Sequence, residues 1–207
     1  MESRIRPAAL VFARWWAEGP VKTRLATTIG AQAAREIYRD LAAGVWAGLR
    51  ADGLQRRLWG DPPEALDALA GWLPDADALL AQPATGLGGR LCTAFDEAFA
   101  AGTPWAAAVG TDAPAVDAPR VLQAGSALSD ADVALVPAED GGYAVLALAR
   151  PQPALFEDIP WSGPDVLAAT LARARAAGLR TAVLEPVRDL DTVEDLRALR
   201  AAGLLPS

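Results

Sequence analysis

Short apolar runs alternate with amphipathic stretches along most of the chain. The apolar runs have the length of strands and fall at residues 8–13, 55–59, 78–82, 105–110, 133–137, 143–148 and 181–184. Between the first two runs, apolar residues recur at every fourth position from Ala33 to Leu49, which predicts an amphipathic helix. Further helices are predicted over 63–73, 89–101, 119–128, 164–177 and 192–202. This alternation predicts an α/β fold with a largely parallel sheet.

Residues 133–148 break the alternation, because two apolar runs follow each other with only a short polar segment between them. The segment contains Asp140-Gly141, and an Asp-Gly step between two such runs is a strong hairpin signal. The pattern therefore predicts that 143–148 is the one antiparallel strand of an otherwise parallel sheet. Asp140 either turns the chain or touches a substrate. If it does both, we expect Asp140 to lie in the same cleft as Asp112, an aspartate that follows the apolar run at 105–110.

Two predicted helices begin with a hydroxyl three residues before a carboxylate. These pairs are Ser162 with Asp165 and Thr192 with Asp195, and both are close to a capping box. No internal repeat, low-complexity linker or shift in composition divides the chain. Its length and pattern predict a single domain over residues 1–207.

Composition narrows the range of functions. The formal net charge of −7 argues against non-specific binding of nucleic acid. No run approaches the roughly 18 apolar residues of a membrane span, and the apolar run at 8–13 is too short for a signal peptide. With a single cysteine, Cys92, no internal disulfide forms. These features predict a cytoplasmic protein; they leave its oligomeric state open.

The types of basic residue are also informative. The chain contains no histidine, so any catalysis must depend on carboxylates, Lys, Arg, Tyr or a metal ion. Lys22 is the single lysine, and all the other basic residues are arginines. A lone lysine in such a sequence indicates a site that needs a compact ammonium rather than a planar guanidinium.

Two glycine-containing loops are candidates for a nucleotide site. After the first strand, Gly19 permits a turn, and Arg14, Lys22 and Arg24 bring cations together before a helix. Such a loop is either a phosphate cradle or a solvated basic loop. After the third strand, Gly88 lies in a glycine-rich helix start. This start either lets a base or ribose approach the backbone or is a flexible turn.

Two acidic loops are candidates for a metal site. Gly110-Thr111-Asp112 follows a strand, where a carboxylate can hold Mg²⁺ or Mn²⁺ against a diphosphate or can simply cap the turn. Asp189 and Asp191 precede the last helix, and an extended local chain points both side chains to one side. They suit a second metal ligand, or they satisfy the free amides of the helix.

Taken in order, these segments resemble the DUF2064 family of bacterial proteins, which belongs to the GT-A, nucleotide-diphospho-sugar transferase superfamily. The matching stretches span nearly the whole chain: GPVKTRLATTIG, LGGRLCTAFDEAF, VGTDAPAV, PAEDGGYAVLAL, LFEDIPWSGPDVL and RDLDTVEDL. The resemblance implies a three-layer α/β/α sandwich, a Rossmann-like GT-A fold whose mostly parallel, mixed sheet has one antiparallel strand. A nucleotide would bind at the loop after the first strand.

The resemblance also implies roles for individual residues. Phosphates would be contacted by Arg14, Lys22 and Arg24, in a nucleotide site that includes Gly19, Gly88 and Gly110. Asp112 would be a metal ligand, and Asp191 would be the likelier second ligand of its pair with Asp189. The sugar or acceptor would lie against Asp140, Gly141, Gly142, Tyr143 and Trp161.

The expected activity is that of a Mg²⁺- or Mn²⁺-dependent transferase, with Asp112 at the leaving group and Asp140 as the candidate base. Its partners would be a nucleotide or nucleotide-sugar and a small-molecule acceptor. A glycosyltransferase is the leading hypothesis, and a nucleotidyltransferase that releases pyrophosphate is the alternative. Departures from the family pattern at Arg14, Trp16, residues 84–90 and Gly163 keep a third hypothesis open, a catalytically silent nucleotide-binding domain.

Overall fold

The computed structural model describes residues 5–206. Its strands are β1 Ala8–Arg14, β2 Gln55–Asp61, β3 Ala78–Ala81, β4 Ala106–Gly110, β5 Val133–Pro137, β6 Tyr143–Leu148 and β7 Thr181–Val183. Its helices are α1 Thr23–Ile29, α2 Ala31–Gly48, α3 Leu66–Trp72, α4 Leu87–Ala100, α5 Ala118–Ala127, α6 Val166–Ala176 and α7 Val193–Ala201. Short 3₁₀ turns cover Pro63–Ala65 and Pro153–Phe156.

The strands form one seven-stranded sheet in the order β3-β2-β1-β4-β6-β5-β7. From β1 the chain first builds outward through β2 and β3, and then returns to place β4 on the other side of β1. Loops leaving β1 and β4 therefore diverge at their carboxyl ends. In open α/β sheets, such a reversal of strand order creates the crevice in which ligands bind.

Helices cover both faces of the sheet. Along β1, Ala9, Val11 and Ala13 belong to the core under α2, α3, α5 and α7. The alternate residues Ala8 and Leu10 belong to the core under α4 and α6. Because neighbouring strand residues point to opposite faces, this alternation of buried residues produces three layers. The predicted α/β/α sandwich is confirmed.

The predicted hairpin is also confirmed. β5 and β6 pair antiparallel from Val133↔Leu148 to Pro137↔Tyr143, with a register shift between Val136 and Pro137. β6 is antiparallel to β4 as well, whereas the other pairs of named strands are parallel. β6 is thus the antiparallel strand that the Asp-Gly step predicts.

Two local predictions need correction. The sequence predicted one loop from β1 to the helix that contains Ala33. In the structure a short helix, α1, forms within this segment, and Gly30, at φ 87°, separates α1 from α2. Ser162 does not cap α6, since its own φ is 68° and the N-cap residue is Asp165. The second predicted capping box, between Thr192 and Asp195, is present.

Within residues 5–206, none of the helices combines the length and the apolar character that crossing a bilayer requires.

Candidate active site

A cleft of about 900 Å³ opens where β1 and β4 diverge. Its walls come from the loops that follow β1, β2, β3, β4 and β5 and from the segments before α6 and α7. Most of the site residues predicted from the sequence line it: Arg14, Lys22, Arg24, Gly110, Asp112, Asp140, Gly142, Tyr143, Trp161, Asp189 and Asp191. Asp140 and Asp112 therefore share one cleft, as the hairpin prediction requires.

A tyrosine closes the gap at the floor of the cleft. β1 pairs with β2 as far as Arg14, but its pairing with β4 ends at Phe12↔Gly110. Tyr38 of α2 takes the place of the missing strand, because its hydroxyl accepts the N–H of Arg14 at 3.0 Å and lies 3.3 Å from the carbonyl of Arg14. Tyr38 is buried, and burial raises the pKa of its hydroxyl. This contact lets β4 turn away without leaving buried backbone groups unpaired.

Lys22 lies at the start of α1 and points inward beneath two carboxylates. Its Nζ is 2.6 Å from Asp112 Oδ1 and 3.4 Å from Asp191 Oδ1, and 4% of its side chain is exposed. Burial alone would lower the pKa of Lys22, but the interactions with Asp112 and Asp191 outweigh burial and raise that pKa. Arg24 pairs with Asp191 at 3.4 Å from the solvent side.

The segment before α7 carries its aspartates to the hairpin and to Asp112. The N–H of Val187 donates to the carbonyl of Pro137, and the N–H of Glu139 donates to the carbonyl of Val187. Three residues further on, the N–H of Leu190 donates to the carbonyl of Asp112. These bonds join the ends of β4 and β5 to one crossing segment.

The result is a cluster of carboxylates formed by Asp140, Asp189 and Asp191. One ligand oxygen from each lies within 4.8 Å of the others. Burial, followed by the negative charge of Asp140, raises the pKa of Asp189 to about 6. Crowded carboxylate oxygens of this kind fit a hard divalent cation such as Mg²⁺ or Mn²⁺. The sequence predicted Asp112, Asp189 and Asp191 as ligands; in the structure Asp140 lies beside Asp189 and Asp191, and Asp112 pairs with Lys22.

The turn between β5 and β6 reverses the chain and also brings Asp140 to the wall of the cleft. Asp140 accepts the N–H of Gly142 at 2.8 Å, which tightens the turn, and its side chain remains exposed in the cleft. Gly141 has φ 91°, and a Cβ there would collide with the backbone of Pro164. The N–H of Leu167 donates to the carbonyl of Gly141 at 2.9 Å. Gly141 thus docks the turn on the start of α6 and does not itself line the cleft.

Two other predicted glycines also lie off the cleft wall. Gly19 forms the predicted turn with φ 72°, and its carbonyl accepts a hydrogen bond from Arg35. Gly88 lies against the 156–161 segment, since a Cβ there would come within 2.8 Å of the Phe156 carbonyl and 3.1 Å of Trp161 Nε1. Glycine at position 88 is therefore explained by protein packing, which corrects the expectation of close approach by a base or ribose.

Tyr143 does not present its hydroxyl to the cleft. The hydroxyl is buried and has no hydrogen-bond partner, although Thr170 of α6 lies near it. Burial raises the pKa of Tyr143. Other atoms of its side chain reach the cleft beside Trp161, with the exposed Leu87 also on the wall. This part of the cleft is largely apolar.

A polar corner at the ends of β2 and β3 was missed by the sequence reasoning. We call Arg14, Asp61, Gln82 and Arg90 the arginine corner. Asp61 Oδ2 lies 3.7 Å from Arg14 Nε and 3.8 Å from Arg90 Nη1. The buried Gln82 accepts from Arg90 at 2.7 Å and donates to the carbonyls of Ala13 and Trp59. The available signal was the position of Asp61 and Gln82 at the carboxyl ends of two apolar runs.

The comparisons with known proteins agree with this architecture. The model of a family described as "Uncharacterized protein conserved in bacteria (DUF2064)" matches residues 45–163. A proposed nucleotide-diphospho-sugar transferase from Desulfovibrio desulfuricans G20 has 29% identity and a TM-score of 0.88, over 97% of this chain and 89% of that one. No curated protein matches the sequence.

More distant solved structures share the fold. A 4-diphosphocytidyl-2C-methyl-D-erythritol synthase from Anaerococcus prevotii DSM 20548 has 11% identity and a TM-score of 0.63, over 97% of this chain and 96% of that one. An inositol-1-phosphate CTP transferase from T. maritima has 13% identity and a TM-score of 0.57, over 97% and 95%.

Proposed function

The chain belongs to the DUF2064 family, and on that premise we propose that residues 1–207 form a single domain that acts as a metal-dependent transferase on a nucleotide-activated donor. The leading candidate is a glycosyltransferase that uses a nucleotide-diphospho-sugar, the class proposed for the Desulfovibrio relative. The observation that carries the proposal is the meeting of Lys22, Arg24 and four aspartates in one cleft at the carboxyl ends of the strands.

The charges of this region suit a diphosphate that binds together with a metal ion. Asp112 and Asp191, helped by Asp189, are the proposed ligands of Mg²⁺ or Mn²⁺, which would supply charge stabilisation at the leaving diphosphate. The side chains of Arg24 and Arg14 are 68% and 49% exposed and are therefore open to phosphate oxygens. Such fixed cations stabilise negative charge that develops on a leaving group.

The proposed glycosyl transfer needs a base and an acceptor surface. An acceptor hydroxyl oxygen attacks the anomeric carbon, the bond from that carbon to the diphosphate oxygen breaks, and the nucleoside diphosphate leaves. Asp140 is the proposed base for the hydroxyl proton, because its carboxylate is exposed in the cleft and accepts the N–H of Gly142. In this assignment Asp112, Asp189 and Asp191 hold the metal ion, and Asp140 lies beside them without being a ligand. Trp161, Tyr143 and Gly142 form the wall against which the sugar or acceptor would lie.

The arginine corner is the proposed binding site for the nucleobase of the donor. Asp61 lies between two guanidiniums that are more than 3.5 Å away, so neither of these contacts within residues 5–206 uses its oxygens in a hydrogen bond. A nucleobase presents N–H and carbonyl groups along one edge, which such an arrangement can bind.

Nucleotidyl transfer is the second candidate. In that reaction the acceptor oxygen attacks the α-phosphorus of a nucleoside triphosphate, and pyrophosphate leaves. The length of the distant solved relatives favours it: this chain covers 96% of the diphosphocytidyl synthase and 95% of the CTP transferase. The second of those proteins is named as a CTP transferase.

A ligand panel tests the proposal. Thermal unfolding is measured with nucleoside triphosphates and nucleotide-sugars, each with and without Mn²⁺. We expect stabilisation that rises with the concentration of one nucleotide class and requires the metal, because a ligand that binds the native state stabilises it. Asp112→Asn should abolish the metal-dependent stabilisation, and Asp117→Asn, which alters the cap of α5, should keep it.

The products separate the candidates. Release of nucleoside diphosphate in an acceptor screen supports glycosyl transfer, and release of pyrophosphate supports nucleotidyl transfer. Stabilisation without either product supports a silent nucleotide-binding domain. If no nucleotide stabilises the protein with or without Mn²⁺, both enzymatic proposals are wrong.

A further inference from the structure

Lys22 is the most enclosed cation of the cleft. The exposed fraction of its side chain is 4%, against 68% for Arg24 and 49% for Arg14. Its two partners are more exposed than it is, with 51% for Asp112 and 33% for Asp191. The carboxylates thus lie between the ammonium and the solvent in the cleft.

The backbone of Lys22 fixes this inward direction. Lys22 has φ 47° and ψ 51°, a left-handed conformation that costs a non-glycine residue about 1 kcal/mol or more. Its carbonyl accepts the N–H of Ala26 at 2.8 Å and so begins α1. Strain of this kind persists where surrounding contacts over-determine the conformation. Here the contacts are those to Asp112 and Asp191.

The residue type agrees with that position. An ammonium is compact and has three rotatable donors, whereas a guanidinium is planar and needs partners in a fixed geometry. Lys22 has carboxylates from two different segments at 2.6 and 3.4 Å, and it is the single lysine of an arginine-rich chain. A compact charge between two aspartates therefore gives a physical reason why this position has a lysine and not an arginine.

We propose that Lys22 is a positioning residue for Asp112 and Asp191 and that Arg24, rather than Lys22, binds the phosphates. The ammonium holds Oδ1 of each carboxylate, and Oδ2 of Asp191 meets Arg24 at the more exposed side. This inference rests on the proposed function, since it assigns the task of each cation in that site.

A crossed experiment separates the two cations. Lys22→Met and Arg24→Met each remove one positive charge from the surroundings of Asp191. Each variant is titrated with Mn²⁺ alone and with inorganic pyrophosphate alone. We expect Arg24→Met to weaken pyrophosphate binding about tenfold without weakening Mn²⁺ binding, because it removes a positive charge near Asp191 and leaves the position of the carboxylates unchanged. We expect Lys22→Met to weaken Mn²⁺ binding about tenfold, and to change pyrophosphate binding by less than about twofold.

The sign of the Mn²⁺ effect is decisive. Removing a positive charge without any change in geometry would strengthen Mn²⁺ binding, so tighter binding by Lys22→Met would overturn the positioning role. Lys22→Arg adds a further test, because a phosphate ligand is rescued by arginine and a positioning ammonium between two carboxylates is not. Rescue of Mn²⁺ affinity by Lys22→Arg, or a loss of pyrophosphate binding in Lys22→Met equal to that in Arg24→Met, also contradicts the inference.

Two controls complete the design. Lys22→Gly accepts the left-handed backbone without strain and replaces Lys22→Met if that variant does not fold. In an Asp112→Asn/Asp191→Asn background, Lys22→Gly should have no further effect on Mn²⁺ binding, because its action passes through those carboxylates. If the unaltered protein binds neither Mn²⁺ nor pyrophosphate, the proposed function is wrong; if it binds both and the two variants behave alike, only the role of Lys22 is wrong.

Discussion

The two ends of the cleft contain the same kinds of side chain in opposite balance. In the arginine corner, Asp61 lies between the guanidiniums of Arg14 and Arg90. At the other end are four aspartates and two cations. The buried ammonium of Lys22 pairs with Asp112 and Asp191, the exposed guanidinium of Arg24 pairs with Asp191, and Asp140 and Asp189 lie beside Asp191. The corner has one more positive than negative charge, whereas the four aspartates at the other end exceed their two cations and leave excess negative charge. Excess charge of one sign attracts a ligand of the other sign and lowers the stability of the ligand-free protein.

The largest expected effect concerns how the aspartate cluster is assembled. Gly141→Ala should reduce the free energy of unfolding by about 3 kcal/mol, because its Cβ meets the Pro164 backbone and its φ is 91°. Gly178→Ala is the matched control, since Gly178 has φ 68° and no atom near its Cβ position. Chemical denaturation of both variants measures the difference. Equal losses would show that the docking of the turn on α6 contributes nothing beyond backbone strain.

An intermediate effect concerns the rigidity of the arginine corner. Gln82→Leu should reduce the free energy of unfolding by about 2 kcal/mol, because two buried carbonyls and Arg90 lose their partner. The exposed Gln32→Leu, which loses a hydrogen bond to Glu36, should change it by less than about 0.5 kcal/mol. If Gln82→Leu is as mild as this control, the corner is not held together by the amide.

The smallest expected effect tests the charge balance itself. The pKa of Asp189 is about 6 in the folded protein, compared with about 3.9 in an unfolded chain. A carboxyl whose folded pKa is raised favours folding at low pH, and that contribution is lost as pH rises from about 4 through 6. Asp189→Asn should therefore raise the free energy of unfolding at pH 8 by about 1 kcal/mol, after allowance for partial solvent screening.

The comparison between the ends supplies the control for this prediction. Asp61→Asn should bring no such gain, because Asp61 has two cationic neighbours. Unfolding curves at pH 5 and pH 8, with and without Mn²⁺, make the measurement, and Mn²⁺ should remove the advantage of Asp189→Asn. A gain in Asp61→Asn as large as that in Asp189→Asn would mean that the two ends do not differ in charge balance.

The sequence predicted those parts of the site that local signals mark. The place of Asp140 could be predicted because an Asp-Gly step between apolar runs indicates a hairpin turn. The place of Asp112 could be predicted because it comes at the end of an apolar run. The fold could be predicted for the same reason, because the spacing of apolar residues that marks a strand or a helix lies within one short segment. Helix α1 was not predicted, because its threonines have modest helix propensity and its stability comes from the packing of Leu25 in the core.

The remaining parts of the site depend on strand register and on distant pairing. Arg14 and Asp61 are opposite each other only because β1 and β2 pair in that register. Gln82 and Arg90 join them through contacts that no local pattern encodes. In the same way, the sequence marked Lys22 as unusual, but its partners lie 90 and 169 positions away. Their contact follows from topology.

The position of β6 also bears on the order in which the protein folds. β4 pairs with β1 and β6, and β5 pairs with β6 and β7, so the strand hydrogen bonds that join the two halves of the sheet all pass through β6. The hairpin closes a short loop and can form rapidly, whereas docking on β4 closes a much longer one. We expect the hairpin to form first as a local unit. Its docking on β4 then completes the sheet and brings Asp140 opposite Asp112 in the same event, so a chain that has not finished folding has no cleft.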